Sequence, residues 1–132
     1  MNGENSLKLK ILIAEDDAAM RRFLEITLER AGYEVVSAED GLAAMKIALS
    51  EKFDAVVADA VMPNLTGHDL CRMLRQNPDF KNAALVILSG LEQEISANVE
   101  QHCADAYLVK GANLKEELTA NLSRLTAEKT NI

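Results

Sequence analysis

What this chain has little of narrows it first. Two of its 132 residues are cysteines, Cys71 and Cys103, with no paired spacing. They cannot supply a disulfide framework or a zinc ribbon, so buried or half-buried free thiols are expected. Positive charge is scarce too: 14 Lys and Arg against 21 Asp and Glu leave a formal net charge of −7. Binding a phosphate backbone needs clustered Lys and Arg, so direct contact with nucleic acid is not expected. The longest apolar runs, such as Ile11-Leu12-Ile13-Ala14, fall far short of the roughly 20 residues that cross a bilayer. No basic stretch followed by an apolar core opens the chain, so it reads as lacking a signal peptide, free of membrane and cytoplasmic.

The 48% hydrophobic and 27% charged residues suit one domain with a core of its own. Residues 1–6 and 128–132 are expected to be loose tails around a domain spanning 7–127. Five short apolar runs stand out, at 9–14, 34–38, 55–59, 84–89 and 106–110. Most are continuously apolar, which suits strands buried on both faces of a parallel sheet. Between them apolar residues recur at helical spacing. Met20, Phe23, Leu24, Thr27, Leu28 and Ala31 share one face, with Gly32 placed to stop the helix. Asp40-Gly41 leads into an alanine-rich helix, and Thr66-Gly67 into a third carrying Leu70, Met73 and Leu74. A shorter fourth is expected over 92–101, and Leu114, Leu118, Leu122 and Leu125 form the stripe of a fifth. This βαβαβαβαβα order predicts an α/β fold, a doubly wound (βα)5 parallel sheet with right-handed crossovers. The strand order 2-1-3-4-5 is carried over by analogy with flavodoxin-like sheets, in which ligands bind beyond the carboxyl ends of the strands.

Those ends carry the polar residues of interest. Strand one ends in Glu15-Asp16-Asp17, strand three in Asp59, strand four in Ser89 and strand five in Lys110. Asp16 or Asp17 would serve simply as a helix cap, but capping leaves Asp59 unexplained. Two carboxylates about 4 Å apart repel by roughly 4 kcal/mol at an effective dielectric of 20, and a bound cation is the natural remedy. Oxygen-only ligands, few in number and with room for water, suit Mg²⁺. An aspartate is a competent nucleophile toward phosphorus. Lys110 is suited to pair with a phosphoryl oxygen and Ser89 to donate a hydroxyl hydrogen bond, although singly a Lys is usually solvated and a Ser usually a turn residue.

The stretch 11–22, ILIAEDDAAMRR, and the stretch 59–67, DAVMPNLTG, with its D-x-x-M-P-x-x-x-G pattern, resemble the response-regulator receiver domains of two-component signalling. The resemblance runs over roughly 7–125. It implies that Glu15 and Asp16 are the acidic pair, Asp59 the phosphoacceptor, and Val61 the donor of a backbone carbonyl to Mg²⁺. It makes Ser89 the switch hydroxyl, Tyr107 the switch aromatic and Lys110 the phosphate-pairing lysine. It further implies a histidine kinase or histidine phosphotransfer protein as phosphodonor, and a downstream target protein bound around the fourth helix and fifth strand. Phosphoryl acceptance and hydrolysis would be self-catalysed in a switch rather than an enzyme, with phosphorylation-dependent dimerisation left open. Pro63, lacking an N–H, and Gly67, tolerant of tight turns, would hold the loop after Asp59 rigid, while Gly90 leaves space above the phosphoryl group.

Three departures matter. Receivers usually follow their lysine with proline, whereas this chain reads Lys110-Gly111. Without proline a cis bond costs about 2.5–4 kcal/mol, so a trans bond and a looser Lys110 are expected. Val61 and Leu91 are both apolar where relatives orient or block the hydrolytic water, which predicts a long-lived phosphoryl state. His68 with Cys71, and His102 beside Cys103, lack the further ligands of a transition-metal site, and His68 reads as a solvated helix-start residue. Two other readings compete with this one. A haloacid-dehalogenase-type phosphohydrolase wants a second Asp two residues after the first, where Val61 stands. A receiver-shaped adaptor that is never phosphorylated is favoured by Gly111 and opposed by the intact carboxylates.

Overall fold

The computed structural model describes residues 8–90 and 103–130. In chain order they form β1 (Lys10–Ala14), α1 (Ala18–Arg30), β2 (Glu34–Ala38), α2 (Gly41–Ser50), β3 (Ala55–Asp59), α3 (Gly67–Arg75), a 3-10 turn (Pro78–Phe80), β4 (Ala84–Ser89), β5 (Ala106–Val109) and α4 (Leu114–Thr130). The helix expected over 92–101 lies outside the described residues, as do Leu91 and His102.

The five strands pair in parallel in the order β2-β1-β3-β4-β5. Central β3 and β4 are buried at every position, whereas edge strands β2 and β5 are mostly half-buried. This explains why the central runs are unbroken: each side of the strand faces a helical layer. Side-chain alternation divides the apolar residues between two cores. Leu12, Val56, Leu85 and Ile87 face α2 and α3 with Ala44, Leu70 and Leu74. Ile11, Ile13, Val57 and Leu88 face α1 and α4 with Leu24, Leu28, Leu118 and Leu122. Each fully buried Leu or Ile contributes about 1.5–3 kcal/mol.

Helix ends follow the sequence cues. Asp17, Asp40 and Thr66 cap α1, α2 and α3 by accepting from the N–H groups of Met20, Ala43 and Asp69 at 2.7, 2.8 and 3.1 Å. Gly32, at φ +100°, takes the left-handed conformation just after α1. Some expectations need correction. Phe23 and Met73, placed by spacing on the apolar faces of their helices, are 39% and 42% exposed, because the buried arcs of α1 and α3 are narrower than their apolar stripes. Ala31 is the exposed C-cap of α1. Strands one and five are each one residue shorter than their apolar runs. The last helix runs to Thr130, past the 127 boundary, supported by the Arg124–Glu128 pair at 3.3 Å and by Lys129 on Asp105 at 3.1 Å.

Candidate functional site

The parallel register brings the ends of β1 and β3 together, since Ala14 pairs with Ala58 and the next residues are Glu15 and Asp59. Both side chains are buried, and Asp16 beside them is exposed. Oxygens of Glu15, Asp16 and Asp59 lie within 4.8 Å of one another; among the described residues no other three such groups converge. Asp17 is the helix cap, so capping accounts for one member of the acidic trio and leaves the other two for the pocket.

Local structure fixes Glu15. Its N–H donates to the Ala38 carbonyl at 3.1 Å, its carbonyl accepts from Arg21 at 2.8 Å, and its Oε2 accepts from the Asp17 N–H at 3.1 Å. Arg21 was not singled out from the sequence; its place one helical turn inside α1 is the only cue it offers. Lys110 reaches in from the end of β5, with Nζ 2.9 Å from Glu15 Oε1 and 3.0 Å from Asp59 Oδ2. One ammonium thus serves two carboxylates. Burial works against the charge on Lys110, but its contacts with Glu15 and Asp59 outweigh this and hold its pKa above the ordinary value. Burial pushes the Glu15 carboxyl up, more than Lys110 and the Asp17 N–H pull it down. The Lys110–Gly111 bond is trans. Glycine at 111 does not keep the ammonium from the pocket.

Gly67 has a different reason from the one expected. Its φ is ordinary; a Cβ there would stand 2.3 Å from the Asp59 carbonyl oxygen, and its N–H donates to the Ala60 carbonyl at 3.1 Å. The start of α3 therefore rests directly on the end of β3, which only glycine allows. Met62 is buried in the core, so the loop after Asp59 is pinned from below while Val61 is 64% exposed at the pocket mouth. Ser89 is buried at the end of β4, and its carbonyl accepts from the Lys110 N–H at 2.8 Å. Asp59, Ser89 and Lys110 thus end adjacent strands.

Tyr107 is half-buried on β5 with its hydroxyl oxygen buried. Its ring stacks on His68 at 6.0 Å between centroids and 23° between planes. His68 is accordingly a half-buried neighbour of Tyr107 rather than a solvated helix-start residue; the pairing joins residues far apart in sequence and has no local signal. Cys71 is buried and Cys103 half-buried, both as free thiols. A cleft of about 510 Å³ at the opposite end of the strands is lined by Lys8, Lys10, Lys52 and Lys129, of which the last three pair with Glu51, Asp79 and Asp105 in turn.

The model of the response regulator receiver domain matches residues 11–123. The chain belongs to this family. Receivers are signalling switches rather than conventional enzymes, which sets the phosphohydrolase reading aside. Among curated relatives, the response regulator ArlR of Staphylococcus saprophyticus is 33% identical over 83% of this chain and 49% of its own. The chain spans about half the length of the curated relatives it matches. Among solved structures, the response regulator TrrA of Thermotoga maritima, in complex with Mg²⁺ and BeF, is 29% identical with a TM-score of 0.80 over 89% of this chain and 98% of its own. The receiver domain of a sensor histidine kinase from Pseudomonas aeruginosa PAO1, with a magnesium ion in its active-site cleft, gives 26%, 0.83, 91% and 98%.

Proposed function

We propose that this receiver is a phosphorylation switch in which Asp59 accepts a phosphoryl group from a histidine kinase or histidine phosphotransfer protein. The observation that carries the reading is the bridge of Lys110 between Glu15 and Asp59 beside the exposed Asp16. The carboxylates of Glu15, Asp16 and Asp59, with the Val61 carbonyl, are the residues that would hold Mg²⁺. Their oxygen-only chemistry and mutual closeness fit that ion. When bound, Mg²⁺ supplies positive charge that lets an anionic phosphodonor approach a carboxylate pocket.

An Asp59 carboxylate oxygen attacks phosphorus, the bond from phosphorus to the donor imidazole nitrogen breaks, and an acyl phosphate forms. Lys110, already held at the carboxylates, pairs with a phosphoryl oxygen, and the Ser89 hydroxyl donates to another. Drawing Ser89 and Lys110 toward the new charge pulls on β4 and β5. Tyr107 then changes position and alters the surface around β5, where a downstream protein binds, with or without pairing of two copies. The domain is read as acting in the cytoplasm; among the described residues no helix is long and apolar enough to cross a membrane. The formal charge of −7 argues against a nucleic-acid footprint, so the output of the domain is read as protein–protein binding.

Incubation with acetyl phosphate and Mg²⁺, read by intact mass, tests the reading. One phosphoryl group per chain, absent in Asp59→Asn and in EDTA, is expected. A chain that stays unlabelled while parent and variant remain folded would support the adaptor reading.

A further inference from the structure

On α3, His68, Cys71 and Arg75 stand at i, i+3 and i+7, a single stripe of the helix. Cys103, at the entry to β5, lies along that stripe at both of its ends. Its Sγ is 3.8 Å from the His68 carbonyl oxygen, and its own carbonyl accepts from Arg75 Nε at 2.8 Å. Cys71 sits between those two anchor points. It belongs to the buried core on this side of the sheet, and Cys103 packs against the same core from its rim. The fold thus brings two free thiols from distant parts of the chain to one rim of the same core.

We propose that Cys71 and Cys103 are a redox pair that a hydroperoxide converts to an intramolecular disulfide, clasping α3 to the segment entering β5. Half-buried Cys103 is the sulfur an oxidant reaches, whereas Cys71 is 4% exposed. The Cys103 sulfur attacks one peroxide oxygen and the O–O bond breaks. Water or an alcohol leaves, and the Cys103 thiol becomes a sulfenic acid. The Cys71 sulfur then attacks the sulfenic sulfur, the S–O bond breaks, the S–S bond forms, and the thiol proton departs with the hydroxyl as water. Two thiols lose two electrons, and the hydroperoxide is reduced by two. Burial, followed by the neighbouring Cys103 thiol, pushes the Cys71 thiol well above its ordinary value, so Cys103 rather than Cys71 is the sulfur that meets the oxidant first.

The clasp closes beside the stack of His68 on Tyr107. Resting on the reading of Tyr107 as the switch aromatic, the oxidised protein accepts a phosphoryl group but holds Tyr107 in place, so that oxidation silences the output without blocking the input.

The test uses the full chain, reduced and then treated with hydrogen peroxide, alkylated, and examined by non-reducing intact mass and peptide mapping. The expected product has lost two hydrogens, resists alkylation, yields one peptide joining Cys71 to Cys103, and reverts with dithiothreitol. Cys103→Ser and Cys71→Ala should each abolish that peptide. Two alkylatable thiols after oxidation, oxygen adducts without the cross-link, or a cross-link only between two chains would overturn the proposal. The regulatory half is read from ring NMR signals of the two tyrosines, Tyr33 and Tyr107, with and without acetyl phosphate and Mg²⁺. A Tyr107 shift in the reduced protein that vanishes in the oxidised one is expected. An equal shift in both states overturns the clasp. No shift in either overturns the switch role of Tyr107, while the mass result still decides the thiol chemistry.

Discussion

Replacing Lys110 with methionine leaves Glu15 and Asp59 buried without their shared cation, and the metal-free protein should lose much of its stability. At 2.9 and 3.0 Å and an effective dielectric of 20, each contact is about 5.5 kcal/mol of gross Coulomb attraction. Most of that is offset by removing the charges from water. What survives is the cost of stranding the partners, about 3–5 kcal/mol when one member of a buried pair is deleted. The Lys110 side chain keeps 18% exposure, so the lower end, about 3 kcal/mol, is expected. With a urea m-value of about 2 kcal/mol per molar, the midpoint should fall by roughly 1.5 M with the slope unchanged. The chain has no tryptophan, so far-UV circular dichroism is the probe, in EDTA near neutral pH. Adding Asp59→Asn removes one stranded charge and should recover about 1–2 kcal/mol of the loss. Saturating Mg²⁺ should narrow the gap between parent and Lys110→Met, because the ion takes over the neutralisation. Equal midpoints for parent and Lys110→Met in EDTA would refute the claim that Lys110 holds the two carboxylates.

Gly67→Ala forces a Cβ onto the Asp59 carbonyl and should cost about 1–3 kcal/mol in urea denaturation, with weaker Mg²⁺ binding because the end of β3 must shift. Asp105 accepts from the Leu85 N–H at 2.9 Å and from Arg75 at 2.8 Å, and meets Lys129 at 3.1 Å. Burial raises its pKa, yet these partners outweigh burial and hold it below the ordinary carboxylate value. A depressed pKa contributes stability above the unfolded value, about 3.9, that is lost as pH falls through the folded one. The stability gap between parent and Asp105→Asn should therefore stay flat at pH 6–8 and close in acid below about pH 4; a gap that widens in acid contradicts this. The apolar, exposed Val61 cannot orient the hydrolytic water, so labelled protein in Mg²⁺ should hold its phosphoryl group for many minutes, and a half-life of seconds would sink that idea.

Most of the fold was legible because strand burial leaves a plain trace. β3 and β4 are covered on both sides, so Ala55–Asp59 and Ala84–Ser89 read as unbroken apolar runs and their bounds came out unchanged. The Leu114, Leu118, Leu122 and Leu125 stripe is buried throughout, whereas Phe23 and Met73 are out at the surface. Periodicity reports which side of a helix is apolar, not how wide an arc its neighbours cover. At the pocket, Glu15, Asp16, Asp59 and Lys110 meet because parallel register carries successive strand ends to one edge, a rule that holds for any sheet of this topology. Gly67 was marked by its motif but for the wrong reason, since close approach of α3 to β3 is a tertiary fact. The stack of His68 on Tyr107 and the closeness of Cys71 to Cys103 join residues from separate elements. Neither has a periodic signature for a sequence to display.

In the proposed switch Asp59, and no other carboxylate of the acidic pocket, becomes an acyl phosphate. Protein treated with acetyl phosphate and Mg²⁺, reduced with borohydride and digested, reports this directly, because reduction converts an aspartyl phosphate to homoserine at the modified position. Homoserine is expected at residue 59 alone. Homoserine at 16, reduction product at Glu15, or no conversion in protein whose mass shows the phosphoryl group would contradict it.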